Sequence, residues 1–419
     1  MRKYFGTDGV RGVFGEDLTV ELVEQLGKAA TLWSGRGRVF VGRDTRSSGP
    51  ELEEAFARGV VAAGGNAVLA GVLPTPAVAL LALDLGVVIT ASHNPPEYNG
   101  VKFFNSDGNK LTDSSEEEIE ALLDAPQHGG GSVDRVSVAE DSYLEHVVER
   151  FGTDLTGLRI AVDCANGAYS GIAPEAFESL GAEVTAVAAS PNGENINEGC
   201  GATDLSLLQA TVLAGGHDLG VAFDGDGDRI LAVDGDGTMV DGDQILAVLA
   251  LHLGVELVAV TVMTNLGFHR LMDERGIRVV TTNVGDRYVL EALRREQGVL
   301  GGEQSGHVIY LRDHVTGDGL AAALLLCGAI QGTTLAKAVA VMPRYAQVKE
   351  NVRLARPEVP AAVLTEADRI NAELAGSGRV LVRASGTEPL IRVLAEAESE
   401  EKARELCGRI ASLVQRELG

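Results

Sequence analysis

Cysteine is scarce and unpaired in this chain: Cys164, Cys200, Cys327 and Cys407 lie far apart, with no C-x-x-C pair among them. That spacing argues against a disulfide framework or a zinc site, and it predicts a reducing compartment in which the four thiols serve as small core residues. Basic charge is also in short supply. With 35 Lys and Arg against 60 Asp and Glu, the net charge of -25 argues against general nucleic-acid binding, because a phosphate backbone needs a dense basic surface. A small phosphate ligand needs only a local cluster of Arg and backbone N–H groups, so the sequence must contain one if it binds such a ligand.

Long apolar runs are missing too. Only Ile245 to Met263 approaches transmembrane length, and it contains His252, Gly254 and Glu256, so a buried helix followed by a strand fits better. The start, MRKYFGTDG, lacks the apolar core of a secretory signal, which predicts a cytoplasmic protein with no membrane partner. Common nucleotide fingerprints are absent. Gly27 and Lys28 lack the preceding spaced Gly and the following hydroxyl of a P-loop, and no well-placed G-x-G-x-x-G occurs, so ATP or NAD chemistry is not expected.

At 419 residues, with 45% hydrophobic and 23% charged residues, the chain has an ordinary globular composition and exceeds what one hydrophobic core supports. Apolar runs of strand length recur between helical patterns: RVFVG at 38 to 42, AVLAGV at 67 to 72, GVVIT at 86 to 90, LRIAVD at 158 to 163, LGVAF at 219 to 223 and ELVAVTVM at 256 to 263. Continuous apolar strands alternating with helices predict mostly parallel sheets covered on both faces. The unit repeats about every hundred residues, which predicts up to three similar α/β domains followed by a small α+β domain. The expected divisions are 1–153, 154–242, 243–344 and 345–419.

The segment AFDGDGDRILAVDGDG sets Asp224, Asp226 and Asp228 alternately with Gly225 and Gly227, directly after the apolar run LGVAF. In a roughly extended backbone these side chains point to one side, so three carboxylates converge on one hard cation. With no His or Cys in the cluster, the ligand set favours Mg²⁺ over Zn²⁺. An EF-hand loop is a weak rival, since its sixth and twelfth positions hold Arg229 and Gly235 here. A solvated acidic turn is the plain alternative.

Three further loops carry chemistry-bearing side chains. The strand GVVIT runs into Ala91, Ser92, His93 and Asn94, which places a serine at the carboxyl end of a strand, where open α/β sheets bind ligands; a capped turn is the competing reading. No G-x-S-x-G elbow is present, which disfavours a Ser-His hydrolase. Lys102 follows, just before Phe103 and Phe104, as a candidate for proton transfer or a lysine snorkelling at the surface. The loop Gly301, Gly302, Glu303, Gln304, Ser305, Gly306, His307 offers an acceptor and a donor to vicinal sugar hydroxyls, or is simply a hairpin turn. Near the end, Arg383, Ser385, Gly386 and Thr387, with Arg392 after them, form the local basic site that the acidic chain requires, unless a Ser-Gly-Thr turn merely neighbours unrelated arginines.

Taken in order, FGTDGVRG, TASHNP, DGDGDR, GGEQSGH and RASGTEPLIRV resemble the loop set of the α-D-phosphohexomutase superfamily over essentially the whole length. With NLGFH near residue 267 and NVGDRYVLEAL from 283, the likeness is greatest to its bacterial phosphoglucosamine mutase branch. The resemblance implies three similar mixed-sheet α/β domains with helices on both faces and a C-terminal α+β domain like the TATA-binding protein, around a central cleft. It also implies that Ser92 carries a phosphoryl group beside Mg²⁺ held by Ser92, Asp224, Asp226 and Asp228. Arg383, Ser385, Gly386, Thr387 and Arg392 would grip the phosphate that is not reacting, and Glu303 and Ser305 the ring hydroxyls. Lys102, His93 and His307 would handle protons, with Arg11 and Arg229 close to the transferring group. A hexosamine phosphate substrate, motion of the last domain and a homodimer are implied in the same way. Ala384 departs from the pattern, standing where a larger residue is expected, and the chain is somewhat short. The same chemistry on glucose or mannose phosphates, a non-catalytic sugar-phosphate or calcium-binding protein, and a phosphatase are the competing functions.

Overall fold

The structure is a computed structural model that describes residues 3–6, 8–126, 128–353, 358–385 and 389–418. The chain divides into two compact units, Met1–Val262 with Val280–Val339, and Met263–Val279 with Ala340–Gly419.

The larger unit is built on three sheets. The first contains β1 (Val10–Val13), β2 (Arg38–Arg43), β3 (Asn66–Val72), β4 (Leu85–Ile89), β5 (Tyr98–Asn105) and β6 (Ser132–Arg135), in the order β1-β5-β4-β2-β3-β6. The second contains β7 (Arg159–Asp163), β8 (Glu183–Val187), β9 (Leu219–Phe223), β10 (Ile230–Asp234) and β11 (Met239–Val240), in the order β11-β10-β9-β7-β8. The third contains β12 (Leu257–Thr261), β13 (Arg278–Thr282), β14 (Leu300–Gly302) and β15 (Val308–Tyr310), in the order β13-β12-β14-β15.

Every residue of β4, β9 and β12 is buried, which is why these strands read as unbroken apolar runs rather than alternating ones. Helices between them carry clear boundary signals. Gly49–Ala63 has a proline in its first turn and stops at Gly64, whose φ of 88° suits only a residue without a Cβ. Gly242–Leu253 opens on a capping box between Asp241 and Gln244.

The sheets are mixed, as the resemblance implies, and the expectation of mostly parallel sheets needs correcting at their edges. β2, β3, β4 and β6 run parallel, as do β7, β8 and β9, but β5 is antiparallel to β4, β10 to β9, and β15 to β14. The reason is loop length. Residues 90–97, 224–229 and 303–307 are too few for the crossover that a parallel return requires, so each chain doubles back on its own strand. Those three tight connections are the serine, aspartate and Glu303 loops.

In the smaller unit, β16 (Ala346–Arg353), β17 (Gly378–Ala384) and β18 (Leu390–Ala397) form an antiparallel sheet in the order β16-β18-β17. Helices Ala361–Leu374 and Glu400–Leu418 supply Val363, Ile370, Leu406, Ile410 and Val414 to a core shared with Val380, Val393 and Ala395. This is the small α+β domain the sequence predicts. Among the described residues, no helix is long and apolar enough to cross a membrane.

Candidate active site

β9 delivers the chain into the aspartate loop. Asp224, Asp226 and Asp228 are all buried, each with a carboxylate oxygen within 4.8 Å of the others. Gly227 takes φ +78°, and a Cβ there would lie 2.4 Å from the Tyr169 ring, so the turn closes only on glycine. The loop backbone is held from outside by three bonds: Ala168 N–H to Gly225 O at 2.9 Å, Thr75 N–H to Asp226 O at 2.8 Å and Gly319 N–H to Gly227 O at 3.0 Å.

β4 delivers Ser92 to the same place. Its Oγ donates to Asp224 Oδ2 at 2.6 Å and lies 3.2 Å from His93 Nδ1. Ser92 sits at φ +53°, a left-handed conformation that costs a non-glycine residue about 1–3 kcal/mol and persists only where the surroundings enforce it. Here they do. The Ser92 N–H donates to Thr90 Oγ1 at 2.8 Å, while its carbonyl accepts from Arg46 at 3.0 Å and from Asn197 at 2.9 Å.

Lys102 comes from β5, the antiparallel neighbour of β4. Its Nζ donates to Asp226 Oδ2 at 2.8 Å and Asp228 Oδ2 at 3.0 Å, and stands 3.2 Å from Asp8. Burial alone would lower its pKa, but Asp226, Asp228 and Asp8 together hold it well above the ordinary lysine value. The alternation of charge continues around a closed ring: Asp8 also pairs with Lys110, Lys110 with Asp286, and His307 stands 3.6 Å from both Asp286 and Asp228. Burial opposes protonation of His307, yet its contact with Asp228 and the charge of Asp286 raise its pKa.

The donor chemistry fits a hard divalent cation. Oδ1 of Asp226 and Oδ1 of Asp228 are buried without a hydrogen-bond partner, and burial, with the charges of Asp228 and Asp226, pushes the Asp224 pKa well up. Clustered carboxylates with orphaned oxygens are costly unless a cation sits among them. Two guanidinium groups also act on the serine loop: burial, together with the Arg229 and Arg11 charges, lowers the His93 pKa to about 4, while Arg11 pairs with Asp8 and the Arg229 backbone N–H donates to Asp224 Oδ1 at 3.1 Å.

The loop between β14 and β15 is a hairpin connection, and through His307 it also reaches this site. Gly306, at φ +95°, accepts at its carbonyl from Ile230 N–H at 2.9 Å, which docks the loop on the strand leaving the aspartate turn. Glu303 Oε1 accepts from Gly285 N–H at 3.0 Å, and Ser305 is exposed. In the smaller unit, Arg383 and Arg392 are register partners on adjacent strands, and burial and the Arg392 charge lower the Arg383 pKa. Ser385 N–H donates to Leu390 O at 2.9 Å, while Gly386 and Thr387 lie outside the described residues.

The structure thus gathers Ser92, His93, Lys102, Arg11, Arg229, His307 and the three aspartates in one site. Asp8 and Asp286 were assigned no role from the sequence, although both lie in motifs that carry the resemblance. Lys110 and Arg46 have no local signal at all. Lys110 is brought back beside β5 by the turn after Asn105, a bridge visible only once that turn is folded.

The chain matches the four domains of one family in order: phosphoglucomutase/phosphomannomutase, alpha/beta/alpha domain I over residues 2–129, domain II over 141–237, domain III over 241–345, and the C-terminal domain over 337–413. A phosphoglucosamine mutase of Thermobifida fusca is 48% identical, covering 100% of this chain and 99% of that one. Another from Pelotomaculum thermopropionicum is 47% identical, covering 99% of each. The crystal structure of a phosphoglucomutase/phosphomannomutase family protein from Burkholderia thailandensis superposes with a TM-score of 0.86 at 26% identity, covering 99% of this chain and 98% of that one. Full-length relatives of this similarity, together with all four domains in order, make the chain a member of the phosphoglucomutase/phosphomannomutase family, within the α-D-phosphohexomutase superfamily.

Proposed function

We propose that this chain is an isomerase that interconverts glucosamine 6-phosphate and glucosamine 1-phosphate, supplying the precursor of UDP-N-acetylglucosamine. The observation that carries this reading is the 2.6 Å contact of Ser92 Oγ with Asp224 of the buried triad, whose other two members are hydrogen-bonded to Lys102. Names borne by the relatives favour the amino sugar over glucose or mannose.

Ser92, once phosphorylated, passes its phosphoryl group to the free hydroxyl of the sugar phosphate: the Oγ–P bond breaks as the sugar O–P bond forms, giving a 1,6-bisphosphate. The sugar turns over, and its other phosphate returns to Ser92 Oγ. Phosphoryl transfer depends chiefly on positioning and on neutralising charge at the transferring group. Arg229 and Arg11 are suited to the second task. Lys102 and His307 are the proposed proton carriers, Lys102 entering as the charged acid; the depressed pKa of His93 leaves it neutral as an acceptor. Glu303 and Ser305 would read ring hydroxyls, and Arg383, Ser385 and Arg392 would hold the distal phosphate, with Gly386 and Thr387.

Asp224, Asp226 and Asp228, with an oxygen on Ser92, would hold Mg²⁺, the hard cation that an all-oxygen site of this kind selects. Bound there, it would withdraw charge from a phosphoryl oxygen. The proposed setting is the cytoplasm, supported by four free buried thiols.

Phosphorus NMR tests the proposal. Purified protein with Mg²⁺ and a trace of bisphosphate is given glucosamine, glucose and mannose 6-phosphates in parallel, with Ser92→Ala as control. A 1-phosphate resonance that appears fastest with glucosamine and is lost in the control is expected. Faster conversion of glucose or mannose phosphate rejects the amino-sugar assignment; inorganic phosphate without isomerisation makes the protein a phosphatase.

A further inference from the structure

Thr75, on the first turn of the helix Thr75–Leu80, grips Asp226 at two points. Its backbone N–H donates to the Asp226 carbonyl at 2.8 Å, and its Oγ1 donates to Asp226 Oδ2 at 2.6 Å. The residue is 1% exposed, so neither bond competes with bulk water. The same Oδ2 also accepts from Lys102 at 2.8 Å. One oxygen of this carboxylate therefore has two donors, while the other, Oδ1, is buried with none.

That asymmetry needs a cause. A carboxylate turns about its last bond in a broad, nearly two-fold well, so nothing intrinsic distinguishes its two oxygens. Lys102 is a poor arbiter, because its ammonium is a point charge with rotatable donors and is shared with Asp228 and Asp8. Thr75 is better placed. Its backbone is already tied to Asp226, so its hydroxyl arrives at a fixed position and selects one oxygen. Pro74 before it and Pro76 after it restrict the backbone on both sides.

We propose that Thr75 is a positioning residue for the metal site, its hydroxyl holding Asp226 so that Oδ1 is left to the cation. This role presupposes the cation proposed above. It adds a contact between the first sheet's loop system and the aspartate loop that no motif marks. A purely structural tether would be served by the backbone bond alone, whose donor the Val, Ser and Ala variants all keep.

The test is Mn²⁺ affinity of the full chain, read by electron paramagnetic resonance without substrate, alongside the unfolding temperature of the cation-free protein. Residues that orient a ligand typically carry about 10- to 100-fold in metal affinity, so Thr75→Val should weaken Mn²⁺ binding by that order. Thr75→Ser, which restores the hydroxyl, should recover most of it. Asp226→Asn is the control for a damaged site. If Thr75→Val does not fold, Thr75→Ala removes the same hydroxyl without a methyl against the carboxylate. Wild-type affinity in Thr75→Val, or equal weakening in the Val and Ser variants, overturns the role of Thr75 while leaving the cation in place. A wild-type protein that takes up no Mn²⁺ overturns the cation itself, and the Thr75 role with it.

Discussion

Arg46 reaches Ser92 from inside the protein, donating from its guanidinium to the Ser92 carbonyl at 3.0 Å with no side-chain surface exposed to solvent. The same guanidinium donates to the carbonyls of Asn94 and Tyr98 at 2.9 Å and to that of Pro95, and its Nε bonds Asp44 at 2.9 Å. Asp44 in turn accepts from Thr90, whose hydroxyl receives the Ser92 N–H. One buried cation thereby organises the backbone of the whole serine loop.

Replacing that cation should be expensive. Removing one partner of a buried pair typically costs about 3–5 kcal/mol, so Arg46→Met should lose stability of that order, measured by urea unfolding. Because the loop positions Ser92, kcat should fall more than KM rises. A variant with wild-type stability and kcat would show that the loop holds itself.

Ser92 offers a separation of strain from chemistry. Both Ser92→Ala and Ser92→Gly remove the nucleophile and should lower isomerisation by more than about 10³-fold. They should differ in stability, since glycine adopts φ +53° freely and alanine does not. Ser92→Gly is expected to be more stable than Ser92→Ala by roughly 1 kcal/mol. Equal melting temperatures for the two would mean the left-handed conformation carries no strain.

Much of this site was legible in the residues themselves, and the exceptions share a cause. The aspartate triad is visible because its ligands are alternate residues of one loop, and Ser92 because it ends an unbroken apolar strand. The Glu303 loop is a hairpin connection, the plainer of its two readings, and its sugar-binding role stays the proposal made above; tight antiparallel returns produce all three loops of the larger unit. Thr75 and Arg46 gave no signal. Their partners lie far along the chain, and such pairings follow from sheet order rather than local pattern. β5 illustrates the point: its apolar pair beside Lys102 did not suggest an eight-residue strand antiparallel to β4, yet that pairing carries Lys102 to the triad.

Lys102→Gln keeps a side chain of similar reach but removes the ammonium shared by Asp226, Asp228 and Asp8. Loss of a general acid lowers turnover by about 10²- to 10⁴-fold, and that range is expected for kcat in steady-state assays. A loss confined to KM would assign Lys102 to substrate binding instead.

Gly227→Ala should damage the aspartate loop selectively. Its φ of +78° disfavours alanine, and the new Cβ meets the Tyr169 ring. A destabilisation of about 1–3 kcal/mol is expected, with weaker Mn²⁺ binding. Measured against Tyr169→Ala alone, which opens the space but leaves the backbone strain, the same substitution should cost less, restoring part of the loss. No restoration would place the whole cost in the backbone.

His269 gives the smaller unit a pH dependence of definite sign. It lies on the helix Leu266–Glu274 with Nε2 buried and unpartnered, and burial and the Arg379 charge lower its pKa from 6.5 to about 4. Between those values the unfolded chain binds the proton and the folded one resists it, so stability rises with pH across the interval. The contribution is complete above the unfolded value, declines as pH falls from 6.5 toward 4, and levels off below the folded value. In His269→Phe that component is absent. Urea unfolding of both proteins across this range should therefore show the wild type losing stability relative to the variant as the solution is acidified. Parallel curves would mean that His269 titrates normally and that neither burial nor the Arg379 charge shifts it.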